Sequence, residues 1–411
     1  MKFRLLLQIF LLIWVTAEAR GSRKRSRSLR TFAPYDVSGS LDQRWLSEMG
    51  RSSLRKQGQI PPNVPFPCFS PRSQIPPESV DRVRPGDIDV VAAMGDSLVA
   101  GNGAMEDYAL GTFIESRGVS WAVGGDGDWR NFLTLPNILK VFNPKIKGFS
   151  VGKEPFLTPT TALNVAFPVS ADQDALMQAK NLVLKMRNTR GVDYEKSWKL
   201  VTMFFGANDI CSAQCYNKED YSPRAHANKL MRALDYLQDN MPRAIVNLVP
   251  VIDVSASVRI KRSFMCRMLH RLFCSCFHRS GDVMSSITKV TRQYQIQEQK
   301  LIESGRYNKK SDYTVVIQPF MTFFNLPKNS TEKFKEAIDI SYITHDCFHF
   351  SQKGHALAAN LLWNNMLEPV GEKSRESVSY PLQRFFCPTD DNPYIFTYNN
   401  SQRFYQTGSQ L

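Results

Sequence analysis

The sequence predicts an α/β protein, a three-layer α/β/α sandwich around a central parallel sheet, folded as a single domain. Three observations point there. Short apolar runs of strand length alternate with longer segments whose apolar residues recur at helical spacing. The chain has 411 residues, 43% of them hydrophobic, enough for one large core. No internal repeat divides it.

The elements follow in order. Residues 31–86 are rich in Pro, Ser and Arg without periodicity, and Pro61, Pro62, Pro65, Pro67 and Pro71 mark an extended lead-in that wraps the domain. Ile88–Met94 is the first strand. Asp172–Met186 reads as a helix with Leu176, Ala179, Leu182 and Val183 on one stripe. Leu200–Phe205 is the second strand. Ser222 then N-caps a helix that has Pro223 at its first position and Leu230, Ala233, Leu234 and Leu237 at core spacing. Ala244–Ile252 is a third strand, Val290–Glu303 a helix, Tyr313–Gln318 a fourth strand and Gly354–Leu367 a last helix. Residues 255–280 interrupt the alternation. They mix Arg259, Lys261, Arg262, Arg267 and Arg271 with Phe264, Met265, Leu269, Leu272, Phe273 and Phe277. This segment is either a disulfide-tied loop packed on the domain or a basic, apolar lip for lipid head groups.

The formal net charge is +14. Much of it sits in Arg20–Arg30, a like-charged block of the kind that is usually solvated. Nucleic-acid binding is not expected, because no reader motif accompanies the charge. Residues 1–19 read as a cleaved secretory signal: Lys2 and Arg4 start it, Leu5–Val15 is mostly apolar, and Ala17-Glu18-Ala19 fits the cleavage pattern. The apolar run is too short for a membrane span and no other segment qualifies, so the expected product is exported and unanchored. Export favours disulfides among the eight cysteines. Cys211 and Cys215 are close enough for a local loop. Cys266, Cys274 and Cys276, grouped with His270 and His278, fit no standard zinc spacing, and no metal or cofactor is expected. Asn329 and Asn399 head N-glycosylation acceptor triplets.

Chemistry concentrates in three places. Gly95-Asp96-Ser97-Leu98 ends the first strand, which puts the Ser97 hydroxyl at the sheet edge where open α/β folds build their sites. Alone it is an ordinary turn serine. Gly206-Ala207-Asn208-Asp209 follows the second strand, so the Asn208 amide can face the same cleft, although such an asparagine is commonly a plain turn residue. Asp346-Cys347-Phe348-His349 places an aspartate where it can reach the His349 Nδ1–H, fixing the tautomer and leaving Nε2 to take a serine proton. His345 reads as structural. Cys347 reads as a disulfide partner with Cys387 as a possible mate.

These ordered segments resemble the GDSL, or SGNH, serine hydrolases, and within them the phospholipase B branch. The resemblance runs from about Arg84 to Ser401. It includes Arg84-Pro85-Gly86-Asp87, the run from Gly95 to Ala104, Ser120-Trp121, the run from Thr134 to Leu139, the run from Leu301 to Tyr307, the run from Asp346 to Ser351 and the run from Trp363 to Gly371. It implies a catalytic domain over 87–405, Ser97 as nucleophile, His349 as base and Asp346 as its orienting partner. It also implies an oxyanion hole made of the Ser97 N–H, the Asn208 amide and a third backbone N–H. The family's third donor is a glycine; here Asn164-Val165-Ala166-Phe167-Pro168-Val169-Ser170 puts Val169 in its place. If that position needs φ > 0, a β-branched residue is strained there, and reduced turnover is expected. The implied substrates are phospholipids and lysophospholipids, met by peripheral contact with a lipid surface. Two other readings stand beside this one: a catalytically weak lipid-binding protein of the same fold, and a general carboxylesterase.

Overall fold

A computed structural model of the chain describes residues 55–255, 257, 263–278, 283–325, 339–378 and 380–407. The expected signal segment, the basic block after it and Asn329 lie outside the described residues.

Four parallel strands form one sheet in sequence order: β1 (Ile88–Gly95), β2 (Trp198–Phe204), β3 (Ala244–Leu248) and β4 (Tyr313–Ile317). The register sets Val91 beside Leu200, Leu200 beside Ile245, and Ile245 beside Thr314. The longer helices are α1 (Leu135–Phe142), α2 (Ala175–Arg187), α3 (Pro223–Asn240), α4 (Phe264–Phe273), α5 (Val283–Glu303), α6 (Gln352–Met366) and α7 (Tyr398–Thr407). Strand side chains alternate between two core layers. Val91, Ala93, Leu200, Phe204 and Ile245 meet α1 and α6 on one face. Val90, Ala92, Met94, Val201, Met203 and Val246 meet α2 and α3 on the other. Both faces are covered, as the alternation of elements predicts.

Local chemistry explains the element ends. Ser222 Oγ accepts the Ala225 N–H at 3.2 Å with Pro223 in the first turn, as expected. β3 stops at Leu248, short of the expected Ile252, because Pro250 has no N–H for the ladder. The helix expected from Asp172 opens with a 3₁₀ turn, Asp172–Asp174. Residues 255–280, expected to form a loop or lip, include a helix, α4. Ser263 caps it, with Oγ accepting the Cys266 N–H at 3.1 Å.

One edge of the sheet is irregular. Ala93 N–H donates to Leu163 O at 3.1 Å, Val165 N–H to Ala93 O at 2.9 Å and Phe167 N–H to Gly95 O at 3.1 Å. Residues 163–167 thus run along β1 like a fifth strand and deliver Pro168 beside Ser97. The lead-in from residue 55 packs on the domain: Trp198 Nε1 donates to Pro77 O at 2.9 Å, and Phe66 meets Trp129 and Phe385 edge to face.

The cysteine expectations need correction. The disulfides are Cys68–Cys387, Cys211–Cys274, Cys215–Cys276 and Cys266–Cys347. Cys211 and Cys215 do not close a local loop, because residues four apart on a helical turn stand side by side and face a second segment together. That segment is the end of α4 and the turn after it. Cys347 is bridged, but to Cys266; Cys387 takes Cys68, which the lead-in carries to it.

Candidate active site

The C-terminal ends of β1 and β2 and the loop before α6 converge. Gly95 closes β1 with φ +157°, and a Cβ there would lie 2.5 Å from Phe204 O, so only glycine fits the strand exit. Gln178 of α2 grips this exit at both backbone groups: Gly95 N–H donates to its Oε1 and its Nε2 donates to Gly95 O, each at 2.8 Å. Asp96 then turns the chain, with Oδ1 accepting the Leu98 N–H at 2.9 Å. Burial pushes the Asp96 carboxyl up to about 7, against the Leu98 bond that favours its ionised form.

Ser97 is 6% exposed, at the floor of the cleft. Its Oγ lies 2.8 Å from His349 Nε2, and His349 Nδ1 lies 2.6 Å from Asp346 Oδ2. The loop holds its own acid: Asp346 Oδ1 accepts the Phe348 N–H at 2.8 Å and the His349 N–H at 3.0 Å, as well as the Thr344 hydroxyl. Burial alone would raise the Asp346 carboxyl. The facing His349 charge and the bonds from His349, Thr112 and Thr344 outweigh it and hold the group well below the usual carboxylate range. Cys347, in the left-handed region at φ 64°, turns the loop so that Asp346 and His349 meet. His345 Nε2 lies 3.1 Å from Arg55 Nη1.

The third expected donor is not where the sequence suggests. Pro168 and Val169 form the centre of a turn closed by Ser170 N–H on Phe167 O at 3.0 Å. Val169 is not among the non-glycine residues of positive φ, so the backbone strain considered for it is absent. Instead the Pro168 carbonyl faces inward. It accepts the Ser97 N–H at 3.1 Å, and Asn208 Nδ2 lies 3.3 Å from it and 2.9 Å from Ser170 O. The Val169 side chain is 70% exposed at the mouth.

Beneath Asn208 lies a buried charge network with no local sequence signal. His226 Nδ1 is 3.3 Å from Asp172 Oδ2 and its Nε2 is 3.2 Å from Glu298 Oε1; Asp209 accepts the Asp172 N–H at 3.1 Å, and Lys229 Nζ donates to Asp172 at 2.8 Å. Burial lowers the His226 imidazole, but its bonds to Asp172 and Glu298 prevail and hold it up at about 9. Burial and the Asp172 charge push the Asp209 carboxyl well up. A histidine raised from 6.5 to about 9 stabilises the fold fully below its unfolded value and loses that contribution as pH rises through the folded one. Relative to His226→Gln, the parent's melting temperature is therefore expected to fall as pH rises from 6.5 towards 9. Thermal melts of the two that keep a constant difference across this window would contradict the assignment.

The cleft around Ser97 encloses about 110 Å³ and is lined by Phe113, Val169, Leu269, Phe273 and Phe348. Phe113 and Phe273 meet across it, ring centroids 5.7 Å apart. That volume seats an ester group and the first few carbons of a chain, being smaller than a benzene-sized cavity of about 150 Å³. Thr112, whose Oγ1 lies 3.1 Å from His349 Nδ1, also joins the site without any cue in the sequence. Among the described residues, no helix is long and apolar enough to cross a membrane.

Residues 91–362 match the family model described as GDSL-like Lipase/Acylhydrolase. The chain is 39% identical over 339 residues to the membrane-associated phospholipase B1 of Homo sapiens, covering 80% of this chain and 23% of that protein. It is 39% identical over 333 residues to the Rattus norvegicus protein of the same name, covering 79% and 23%. The chain thus spans about a quarter of the length of these relatives. Likeness to a solved acetylxylan esterase from Geobacillus stearothermophilus is loose, at 12% identity and a TM-score of 0.35 over 67% of this chain and 93% of that one. The extent of the family match and the identity to its curated relatives show that the chain belongs to the GDSL-like lipase/acylhydrolase family.

Proposed function

We propose that this chain hydrolyses the acyl esters of phospholipids and lysophospholipids, with Ser97 as nucleophile, His349 as general base and Asp346 as its orienting partner. The observation that carries the reading is the continuous line from Ser97 Oγ to His349 Nε2, at 2.8 Å, and from His349 Nδ1 to Asp346 Oδ2, at 2.6 Å, inside an apolar cleft. His349 takes the hydroxyl proton as Oγ attacks the ester carbonyl carbon. The intermediate collapses to an acyl-enzyme, and the leaving alcohol takes the proton back from His349. Water then repeats the attack and frees the fatty acid. The Ser97 N–H and the Asn208 amide are the groups suited to hold the oxyanion.

Several features support a lipid surface as the place of reaction. Phe113 and Phe273 line the cleft and are exposed, and α4, which carries Phe273, also exposes Phe264, Leu272, Arg267 and Arg271. The named relatives are phospholipases. Four disulfides suit an oxidising compartment, in keeping with export through a cleaved signal at 1–19, a catalytic domain at 87–405 and glycans on Asn329 and Asn399.

A fluorophosphonate probe should label the parent and not Ser97→Ala, and the parent should release fatty acid from phosphatidylcholine with calcium chelated. Labelling with release only from short soluble esters would make the chain a general carboxylesterase. Lipid binding without Ser97-dependent labelling would make it a binding protein of the same fold.

A further inference from the structure

The two donors suited to an ester oxyanion already share an acceptor. The Ser97 N–H donates to the Pro168 carbonyl at 3.1 Å, and Asn208 Nδ2 lies 3.3 Å from the same oxygen. The described peptide bonds are all trans, so the Val169 N–H points opposite to that carbonyl, out of the hole. In this arrangement the chain's own backbone oxygen stands where a substrate's carbonyl oxygen must go. We propose that the Pro168–Val169 peptide is a built-in plug of the oxyanion hole, and that turning it over is the step that makes the site competent. The inference rests on the hydrolase reading above.

The turn chemistry explains why the plug is seated. Pro168 and Val169 are the second and third residues of a β-turn closed by Ser170 N–H on Phe167 O at 3.0 Å. Such a turn has two senses, which differ chiefly in the central peptide; its flanking dihedrals change by roughly 150–170° between them. Proline at the second position suits both. The alternative sense requires φ > 0 at the third position, which glycine accepts and a β-branched residue resists. Val169 therefore holds the turn in the sense that aims the carbonyl inward. Turned over, the same peptide withdraws an acceptor from the hole and presents the Val169 N–H as a further donor. Nothing else need move far: Gln178 Nε2, at 2.8 Å from Ser170 Oγ, tethers the end of the turn.

The test compares the parent with Val169→Gly and Val169→Ala. Glycine frees the backbone, whereas alanine trims the side chain but keeps the steric penalty on φ > 0. The second-order rate of fluorophosphonate labelling and the kcat on a short soluble ester should both rise roughly 10- to 10²-fold in Val169→Gly, with KM little changed. The rise in Val169→Gly should exceed that in Val169→Ala by about tenfold. Equal gains in both variants would assign the effect to side-chain bulk and overturn the plug. Slow, Ser97-dependent labelling of the parent with no gain in Val169→Gly would overturn the plug alone and leave the hydrolase reading standing. No Ser97-dependent labelling in any of the three, each with a cooperative thermal melt, would overturn both. A crystal structure of the parent's phosphonate adduct is an independent check. The phosphonyl oxygen should bond the Ser97 and Val169 N–H groups with the Pro168 carbonyl turned out; an adduct that keeps that carbonyl on the Ser97 N–H overturns the plug.

Discussion

Asp346→Asn is expected to lower kcat on a phospholipid or lysophospholipid ester by roughly 10⁴-fold, with little change in KM or in the circular dichroism spectrum. The size follows from the proton inventory of the loop. Asp346 Oδ2 accepts from His349 Nδ1 at 2.6 Å, while Oδ1 accepts the Phe348 and His349 N–H groups. Asparagine can keep its carbonyl oxygen on those backbone donors only by pointing its NH₂ at His349 Nδ1. The imidazole must then accept there and carry its proton on Nε2, where it meets Ser97 Oγ as a donor and cannot take the hydroxyl proton. The loop geometry survives and the base is lost. The carboxyl of Asp346 is held well below the usual range, so its contribution to stability is full above the ordinary carboxylate region and is lost progressively as pH falls through that region towards the lowered folded value. Full-speed turnover by Asp346→Asn would remove Asp346 from the proposed mechanism.

Ser97 and Asn208 are legible because each follows a strand exit, where residue type carries information, and Asp346 and His349 because their three-residue spacing in the loop before α6 lets the acid reach the imidazole. The two apolar runs leading to Ser97 and Asn208 are buried strands whatever else the chain does, so their exits share one edge of the sheet. Ser222 and Pro223 likewise announce a helix start through side-chain oxygen and fixed φ. What was not legible depends on distant partners or on a single torsion. Residues 163–167 lie along β1 without the length of a strand, so nothing local marks them as its neighbour. His226, Asp172 and Glu298 come from three elements and meet only through packing of α3 and α5. The inward Pro168 carbonyl is a matter of one peptide's orientation: Val169 raised the question of strain, but only the backbone shows that the turn avoids strain by reversing the peptide instead.

Cysteine pairing was the other blind spot, and it leads to the second large effect. Removing the Cys266–Cys347 bridge with serines at both positions is expected to lower both stability and turnover, whereas removing Cys68–Cys387 in the same way should lower stability alone. The first bridge closes a separation of 81 residues and the second one of 319. Chain-entropy arguments give losses of about 4–5 and about 5–6 kcal/mol, respectively. At roughly 2–4 °C per kcal/mol, each would lower the melting temperature by on the order of 10 °C or more. The two differ in what they anchor. Cys347 lies between Asp346 and His349 with φ 64°, a conformation that a non-glycine residue adopts only when its surroundings impose it, and Cys266 ties it to α4, which roofs the cleft with Leu269 and Phe273. Without that tie the loop can relax towards negative φ and carry the imidazole off the Ser97 hydroxyl; a displacement near 1 Å costs about 10² in rate. Cys68 and Cys387 join the lead-in to the segment before α7, away from the cleft. Thermal melts paired with kcat measured well below the melting point separate the two cases. Undiminished kcat in the Cys266→Ser, Cys347→Ser double variant would mean that the hydrogen bonds from the Phe348 and His349 N–H groups to Asp346 hold the catalytic loop unaided.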